Sequence, residues 1–303
     1  MKKGLAAVTA ARLLGHAATV VVPITTPTLV KSKIAANGGL VHTHGATWNE
    51  ADEYVRSLLL SDPTGVYCSP FDDPDIWAGN ATVVHEIIDD LGGATPDAIV
   101  VSVGGGGLLC GIQMALADHG ALESTPVLAV EPEGAASLNA ALTAGELVTI
   151  PNIATIAASL GAKRVAQKAF ELGALPNVRS VVLSDAHAAM GCCRLMDDER
   201  VAVEPACGIS AAAVYYGALR KMLPGLTEES RVVVVVCGGE TKLTSSFPPH
   251  LFGPRARLTI DCREWHICRD ARGISKEVRL YRLSRRRRRH PMLQVCTLEN
   301  SAL

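Results

Sequence analysis

Four consecutive glycines, Gly104-Gly105-Gly106-Gly107, follow the apolar run Ala98-Ile99-Val100-Val101-Ser102-Val103 and precede Leu108-Leu109-Cys110-Gly111-Ile112-Gln113-Met114-Ala115-Leu116. A strand, a glycine turn and a helix in that order make an anion cup. Without Cβ atoms the backbone turns sharply and turns several N–H groups on one oxyanion, and the positive end of the helix dipole points at the same place. A plain turn needs only one or two glycines, and each further one costs conformational entropy. A Walker loop is excluded, because Gly107 is followed by Leu108 and not by Lys-Ser/Thr. A dinucleotide fingerprint stays open as an alternative. Glu131 ends the next apolar run, Val127-Leu128-Ala129-Val130, about where a ribose would want an acid, but the third glycine of Gly-x-Gly-x-x-Gly is missing, since the count lands on Leu109 or Cys110.

The elements that must position this cup alternate at short intervals. The pattern predicts a helix over Gly4–Leu14, a strand over Ala18–Val22, a helix from the Thr25-Thr26-Pro27-Thr28 cap to about Ala36, a strand over Leu40–Thr43 and a helix over Asn49–Leu60. Tyr67–Pro74 reads as a loop leaving a strand and Trp77–Asp90 as a helix. Further on come a strand over Val178–Leu183, a helix opened by Ser184-Asp185-Ala186-His187, a helix over Ile209–Leu223 and the strand Val232–Val236. Five successive valines fit a strand buried on both faces, and helix–strand alternation fits a parallel, right-handed α/β sheet flanked by helices. That strand delivers Cys237 and Gly238 to the carboxyl end of the sheet, where open α/β folds bind ligands. His42 and His44 share one strand face, but without a third ligand nearby they read as edge histidines.

The 303 residues are 48% hydrophobic and 19% charged, which suits a globular chain with a sizeable core and excludes a disordered one. No apolar run reaches the roughly 18–20 residues of a membrane span, and Arg12 and His16 interrupt any signal-peptide core, so a cytoplasmic location is expected. Nine cysteines without a repeated spacing indicate neither a disulfide framework nor a zinc site. The formal charge of −1 hides an asymmetry: residues 1–247 carry −9 and residues 248–303 carry +8, ending in the run Arg285–Arg289. That tail has no periodic apolar face and reads as solvated, unfolded chain rather than a nucleic-acid contact.

The cup in its context, Ser102-Val103-Gly104-Gly105-Gly106-Gly107-Leu108-Leu109-Cys110-Gly111, resembles the glycine loop of the fold-type II pyridoxal-phosphate enzymes, in the form found in the L-serine dehydratase/L-threonine deaminase family. Three more blocks resemble that family in the same order: Pro70-Phe71-Asp72-Asp73-Pro74 with Ile76-Trp77 and Gly79, then Val203-Glu204-Pro205-Ala206-Cys207-Gly208, then Val232–Val236 into Cys237-Gly238-Gly239. The resemblance runs from about Gly4 to Gly239. It implies an α/β, tryptophan-synthase-β-like fold: a remnant of a small domain over 1–69, a large coenzyme domain over 70–247, and a foreign tail over 248–303. It implies pyridoxal 5'-phosphate held by Gly104, Gly105, Gly106, Gly107 and Leu108, with Phe71 near the pyridine ring and Cys237 beside Gly238 as a neutral partner of the ring nitrogen. A neutral partner weakens the electron sink and suits prompt β-elimination. The resemblance further implies a monovalent or divalent cation on Glu131, Ala135, Leu160 and Ala162, an amino acid as substrate and a homodimer.

One family element is not found. These enzymes carry an early lysine, in a Ser-x-x-x-Lys segment, that binds the coenzyme and moves the Cα proton. Lys2, Lys3, Lys31, Lys33, Lys163, Lys168, Lys221, Lys242 and Lys276 stand in no such context, so the catalytic lysine is unassigned. Deamination of L-serine and L-threonine is therefore expected of the family, with this sequence impaired. A non-catalytic fragment or subunit partner and a serine racemase relative stand as the other readings.

Overall fold

The computed structural model describes residues 2–62, 64–237, 277–282 and 294–299. The chain divides into two compact units, Met1–Ile76 and Trp77–Leu303.

In the first unit, α1 (Lys2–Leu13), β1 (Thr19–Val22), α2 (Thr28–Ala36), β2 (Leu40–Thr43) and α3 (Trp48–Ser61) follow one another. β1 and β2 pair in parallel, Thr19 opposite Leu40. Val8, Val22 and Ile34 form the buried centre, packed by Ala18, Val20, Val30 and Val41. α3 opens with a capping box, in which Thr47 Oγ1 accepts the Glu50 amide and Glu50 in return accepts the Ala46 amide at 2.9 Å. The loop that carries Phe71 follows this helix; among the described residues no strand lies between α3 and the loop, contrary to the sequence pattern. The helix ends at its cap Asp62, whose amide donates to Leu58 O, and Tyr67 returns to it, its hydroxyl on Asp52 beneath the Arg56 guanidinium.

The second unit is a sheet with helices from one strand to the next: α4 (Pro74–Asp90, whose first turn belongs to the first unit), β3 (Ala98–Ser102), α5 (Gly107–Asp118), β4 (Val127–Pro132), α6 (Ser137–Ala144), α7 (Gln167–Gly173), β5 (Val178–Leu183), α8 (Asp185–Glu199), α9 (Pro205–Tyr215), α10 (Ala218–Met222) and β6 (Arg231–Val234). Two further strands, β7 (Glu277–Arg282) and β8 (Gln294–Glu299), give the order β5-β4-β3-β6-β8-β7. The first four strands are parallel, and β8 is antiparallel to both β6 and β7. Ala98–Val101, Val127–Val130 and Val232–Val234 are almost wholly buried, as strands covered on both faces must be.

Two features depart from the sequence pattern for clear reasons. The apolar stretch 209–223 is two helices, because Gly217 at φ 78° breaks it between α9 and α10. Where the sequence reads as unfolded chain, 277–282 and 294–299 pair as sheet. β6 would otherwise present a bare edge of N–H and C=O groups, which pairing with β8 covers. The short helices α6 and α7 left no clear periodic signal.

α8 and α9 cross main chain to main chain. A Cβ on Gly191 would lie 1.9 Å from the Gly208 carbonyl oxygen, and one on Gly208 would lie 2.2 Å from the Ala188 carbonyl oxygen. Backbone atoms cannot move aside cheaply, so Gly191→Ala is expected to cost about 3 kcal/mol of stability, lowering the urea midpoint without changing the m-value. Gly225→Ala, where a Cβ meets nothing within 4 Å, is expected to stay within about 0.5 kcal/mol of the parent in the same titration.

Candidate coenzyme site

The site lies where the sheet changes direction. From β3 the chain lays β4 and then β5 to one side, and β6 returns to the other side of β3. Ligands bind at the carboxyl ends of the strands flanking such a switch point. Gly104 follows β3 there. Cys237 leaves β6 at the same rim, since the register Val100↔Val234 and the Val235 N–H on Val100 O at 2.9 Å keep the two strands in step.

The glycine turn is pressed into its surroundings on several sides. A Cβ on Gly104 would lie 3.0 Å from the Leu160 Cα, and one on Gly106 would lie 2.2 Å from the Ala169 Cβ. Gly105 O accepts the Ala166 amide at 3.0 Å. Gly106 stands at φ 91°, the left-handed region, as the N-cap of α5. The first intrahelical bond runs from Cys110 N–H to Gly106 O at 2.9 Å, so the amides of Gly107, Leu108 and Leu109 have no acceptor one turn earlier in the helix. α5 is then held close to α4, where a Cβ on Gly111 would lie 2.6 Å from the Asn80 Cβ. Free amides, a helix dipole and a cradle that any side chain would fill together fit a phosphate group.

The other sequence-predicted residues fall as follows. Cys237 is exposed, and its amide donates to Cys207 Sγ at 3.3 Å. Gly238 lies outside the described residues. Phe71 belongs to the first unit, where its ring tilts against Trp48 at 5.9 Å and its amide reaches Ser69 Oγ at 3.4 Å. His44 stacks on Tyr54 at 4.1 Å, and no group of three metal-ligating side chains occurs among the described residues.

Glu131 is fully buried, and burial pushes its carboxyl up to about 7 against the opposing pull of two amides. Those amides belong to Leu138 at 2.8 Å and Asn139 at 2.7 Å, so Glu131 caps α6, whose own N-cap position holds an alanine. An acid buried in this way presents no face on which a ribose could lie, which removes the support for a dinucleotide site. Each carboxylate oxygen keeps a further lone pair. Ala135 is the buried last residue of a 3-10 turn, Leu160 the buried last residue of another, and Leu160 O accepts the Ala162 amide at 2.8 Å. Ser137, two residues beyond Ala135, is buried with no hydrogen-bond partner for its hydroxyl among the described residues. A carboxylate, carbonyls and an orphaned hydroxyl are the donor chemistry of a hard cation. Sequence patterns did not mark Ser137, nor the Leu160, Ala166 and Ala169 contacts that shape the cup, because small residues in irregular loops carry no period.

An open α/β sheet with a glycine cup at its switch point defines a phosphate-anchoring coenzyme fold. Residues 3–238 match the family model for pyridoxal-phosphate-dependent enzymes. The chain is 44% identical over 239 residues to the human L-serine dehydratase/L-threonine deaminase, covering 78% of this chain and 72% of that one. It is 38% identical to the L-serine dehydratase of Saccharomyces cerevisiae over 256 residues, covering 80% and 76%. A fungal L-serine ammonia-lyase from Rhizomucor miehei superposes with a TM-score of 0.72 at 34% identity, covering 80% of this chain and 76% of that one. The chain belongs to the pyridoxal-phosphate-dependent enzymes of fold-type II, within the L-serine ammonia-lyase and threonine deaminase family.

Gly106→Ala would meet both the Ala169 Cβ and an unfavourable φ, and is expected to weaken pyridoxal phosphate binding at least about tenfold, or roughly 1.4 kcal/mol, in an absorbance titration. Gly145→Ala shares the positive φ, at +73°, but has nothing within 4 Å. It is expected to lower the melting temperature and leave coenzyme binding unchanged.

Proposed function

We propose that this chain is built for pyridoxal-phosphate-dependent deamination of L-serine, and by the same chemistry L-threonine, to a 2-oxo acid and ammonia. The observation that carries the reading is the Gly104–Leu108 turn, packed against Leu160 and Ala169 at the switch point, in a chain of this family. Bound there, the coenzyme supplies the electron withdrawal that loosens the substrate Cα proton. The amides of Gly105 to Leu108 hold its phosphate, and the α5 dipole offsets the charge. Cys237, at the end of β6, would serve as the neutral donor to the ring nitrogen. Loss of the β-hydroxyl needs a proton donor, which the phosphate held by the amides of the cup would supply.

The covalent step is where this sequence departs from the family. Among the described residues Lys168 pairs with Glu171 at 3.5 Å, and Lys163 stands exposed in the turn after Leu160. Neither occupies the family's lysine context, so these 303 residues bind the coenzyme without covalent attachment and turn over poorly. We further propose that Glu131, Ala135, Leu160 and Ala162 hold a cation that stiffens the loops behind the cup, that the protein acts as a homodimer, and that it works in the cytoplasm. The tail beyond 247 takes no part in the reaction.

Two measurements test this. Purified chain loaded with pyridoxal phosphate is reduced with borohydride and mapped by mass, and pyruvate from L-serine is followed by a coupled assay. Coenzyme binding with no modified lysine and pyruvate formation at least about a hundredfold below a family enzyme, a loss of roughly 3 kcal/mol in transition-state stabilisation, is the expected outcome. A trapped lysine with full turnover would overturn the impairment. Failure to bind pyridoxal phosphate at all would overturn the function.

A further inference from the structure

The cysteines lack a pattern in sequence, but three of them meet in space. Cys192 lies on α8, Cys207 in the first turn of α9 and Cys237 just beyond β6. The Cys237 amide donates to Cys207 Sγ at 3.3 Å, and a Cβ on Gly208 would lie 2.4 Å from Cys192 Sγ. Cys192 and Cys207 are buried, while Cys237 is exposed.

We propose that Cys207 and Cys237 form a peroxide-responsive dithiol, closing to a disulfide that ties the start of α9 to the end of β6. The N–Cα bond is about 1.46 Å, so the Cys207 sulfur lies no more than about 4.8 Å from the Cys237 Cα. Bridged cysteines need Cα atoms within about 4.4–6.8 Å and Cβ atoms near 3.8 Å. Rotation of the exposed Cys237 side chain about its Cα–Cβ bond is the motion that joins the two sulfurs. Exposure also makes Cys237, rather than the buried Cys207, the member of the pair that peroxide reaches first. Its thiolate attacks one peroxide oxygen, the O–O bond breaks, and hydroxide leaves and takes up a proton as water. The Cys207 sulfur then displaces the second oxygen from Cys237, and that oxygen leaves as water with the Cys207 proton. Two thiols lose two electrons, one peroxide gains them, and a dithiol reductant reverses the change. Cys192 competes poorly, since burial first, then Cys207 and Cys193, push its thiol up to about 12 and keep it protonated.

One consequence rests on the functional reading given above. If Cys237 faces the coenzyme ring, the bridge withdraws that thiol from the site and bound coenzyme shields it from peroxide. Oxidation and coenzyme binding then oppose each other by the same factor in both directions.

The full chain, treated with hydrogen peroxide, alkylated and digested with trypsin without reductant, gives a clean readout. Arg200 and Arg220 isolate Cys207, Arg231 and Lys242 isolate Cys237, and Cys192 and Cys193 fall on a separate peptide ending at Arg194. The expected product is a cross-linked pair of 201–220 with 232–242, lost on treatment with dithiothreitol, retained in Cys192→Ser and missing from both Cys207→Ser and Cys207→Ala. Pyridoxal phosphate at tenfold its Kd leaves about one molecule in eleven free, so it is expected to slow cross-linking about tenfold. If peroxide yields only sulfinic acid at Cys237, or joins it to another cysteine, the dithiol is overturned, whatever the coenzyme does. Cross-linking at the same rate with and without coenzyme upholds the dithiol and removes Cys237 from the coenzyme site.

Discussion

Two missing Cβ atoms govern this structure. Gly104 and Gly106 let the turn after β3 lie against the Leu160 main chain and the Ala169 side chain; a Cβ would be tight at Gly104, 3.0 Å from the Leu160 Cα, and would clash at Gly106, 2.2 Å from the Ala169 Cβ. That contact sets where α5 begins, and therefore where its unpaired amides converge. It also fixes the loops 158–166 that carry the Leu160 and Ala162 carbonyls. The sheet supports the arrangement from below, with β3 and β6 in parallel register so that the glycine turn and Cys237 leave it at one rim. Backbone placement alone thus gathers amides suited to an anion, with no charged side chain spent on it.

Much of this was legible in the residues. The runs 98–101, 127–130 and 232–236 announced buried parallel strands, because only chain covered on both faces stays apolar at every position, whereas Val178–Leu183, interrupted by Arg179 and Ser180, is the half-buried strand at the sheet edge. The four glycines announced the cup, and Ser184 announced the start of α8, where its hydroxyl accepts the His187 amide. Other parts were not legible. Ile209–Leu223 reads as one helix unless Gly217 is given its left-handed φ, which composition does not reveal. α6 and α7 are short, so packing and the remote cap from Glu131 define them more than any period does. Glu131 itself shows the general difficulty: an acid after a strand looks the same in sequence whether it meets a ribose, a cation or the start of a helix. Its burial and its two amide partners distinguish these, and both are properties of the folded chain.

The relation between Cys207 and Cys237 was out of reach for the same reason. Thirty residues separate them, no spacing marks the pair, and only the return of β6 beside β3 brings the strand end to the start of α9. Cys207 alone is a small buried residue among apolar neighbours, as Cys110 is, and nothing in the sequence joins it to Cys237.

The crossing of α8 and α9 carries an implication for sequence drift. Because Gly191 and Gly208 let carbonyl groups set the spacing of the two axes, that spacing has no side chain through which it can be adjusted. Descendants of this chain can trade Ala188 or Cys192 for something smaller and leave a void, but every enlargement along the seam pries two backbones apart. Divergence at this crossing is therefore a ratchet that turns in one direction, and its residues will change later than the fully enclosed strand valines, which can exchange among aliphatic shapes.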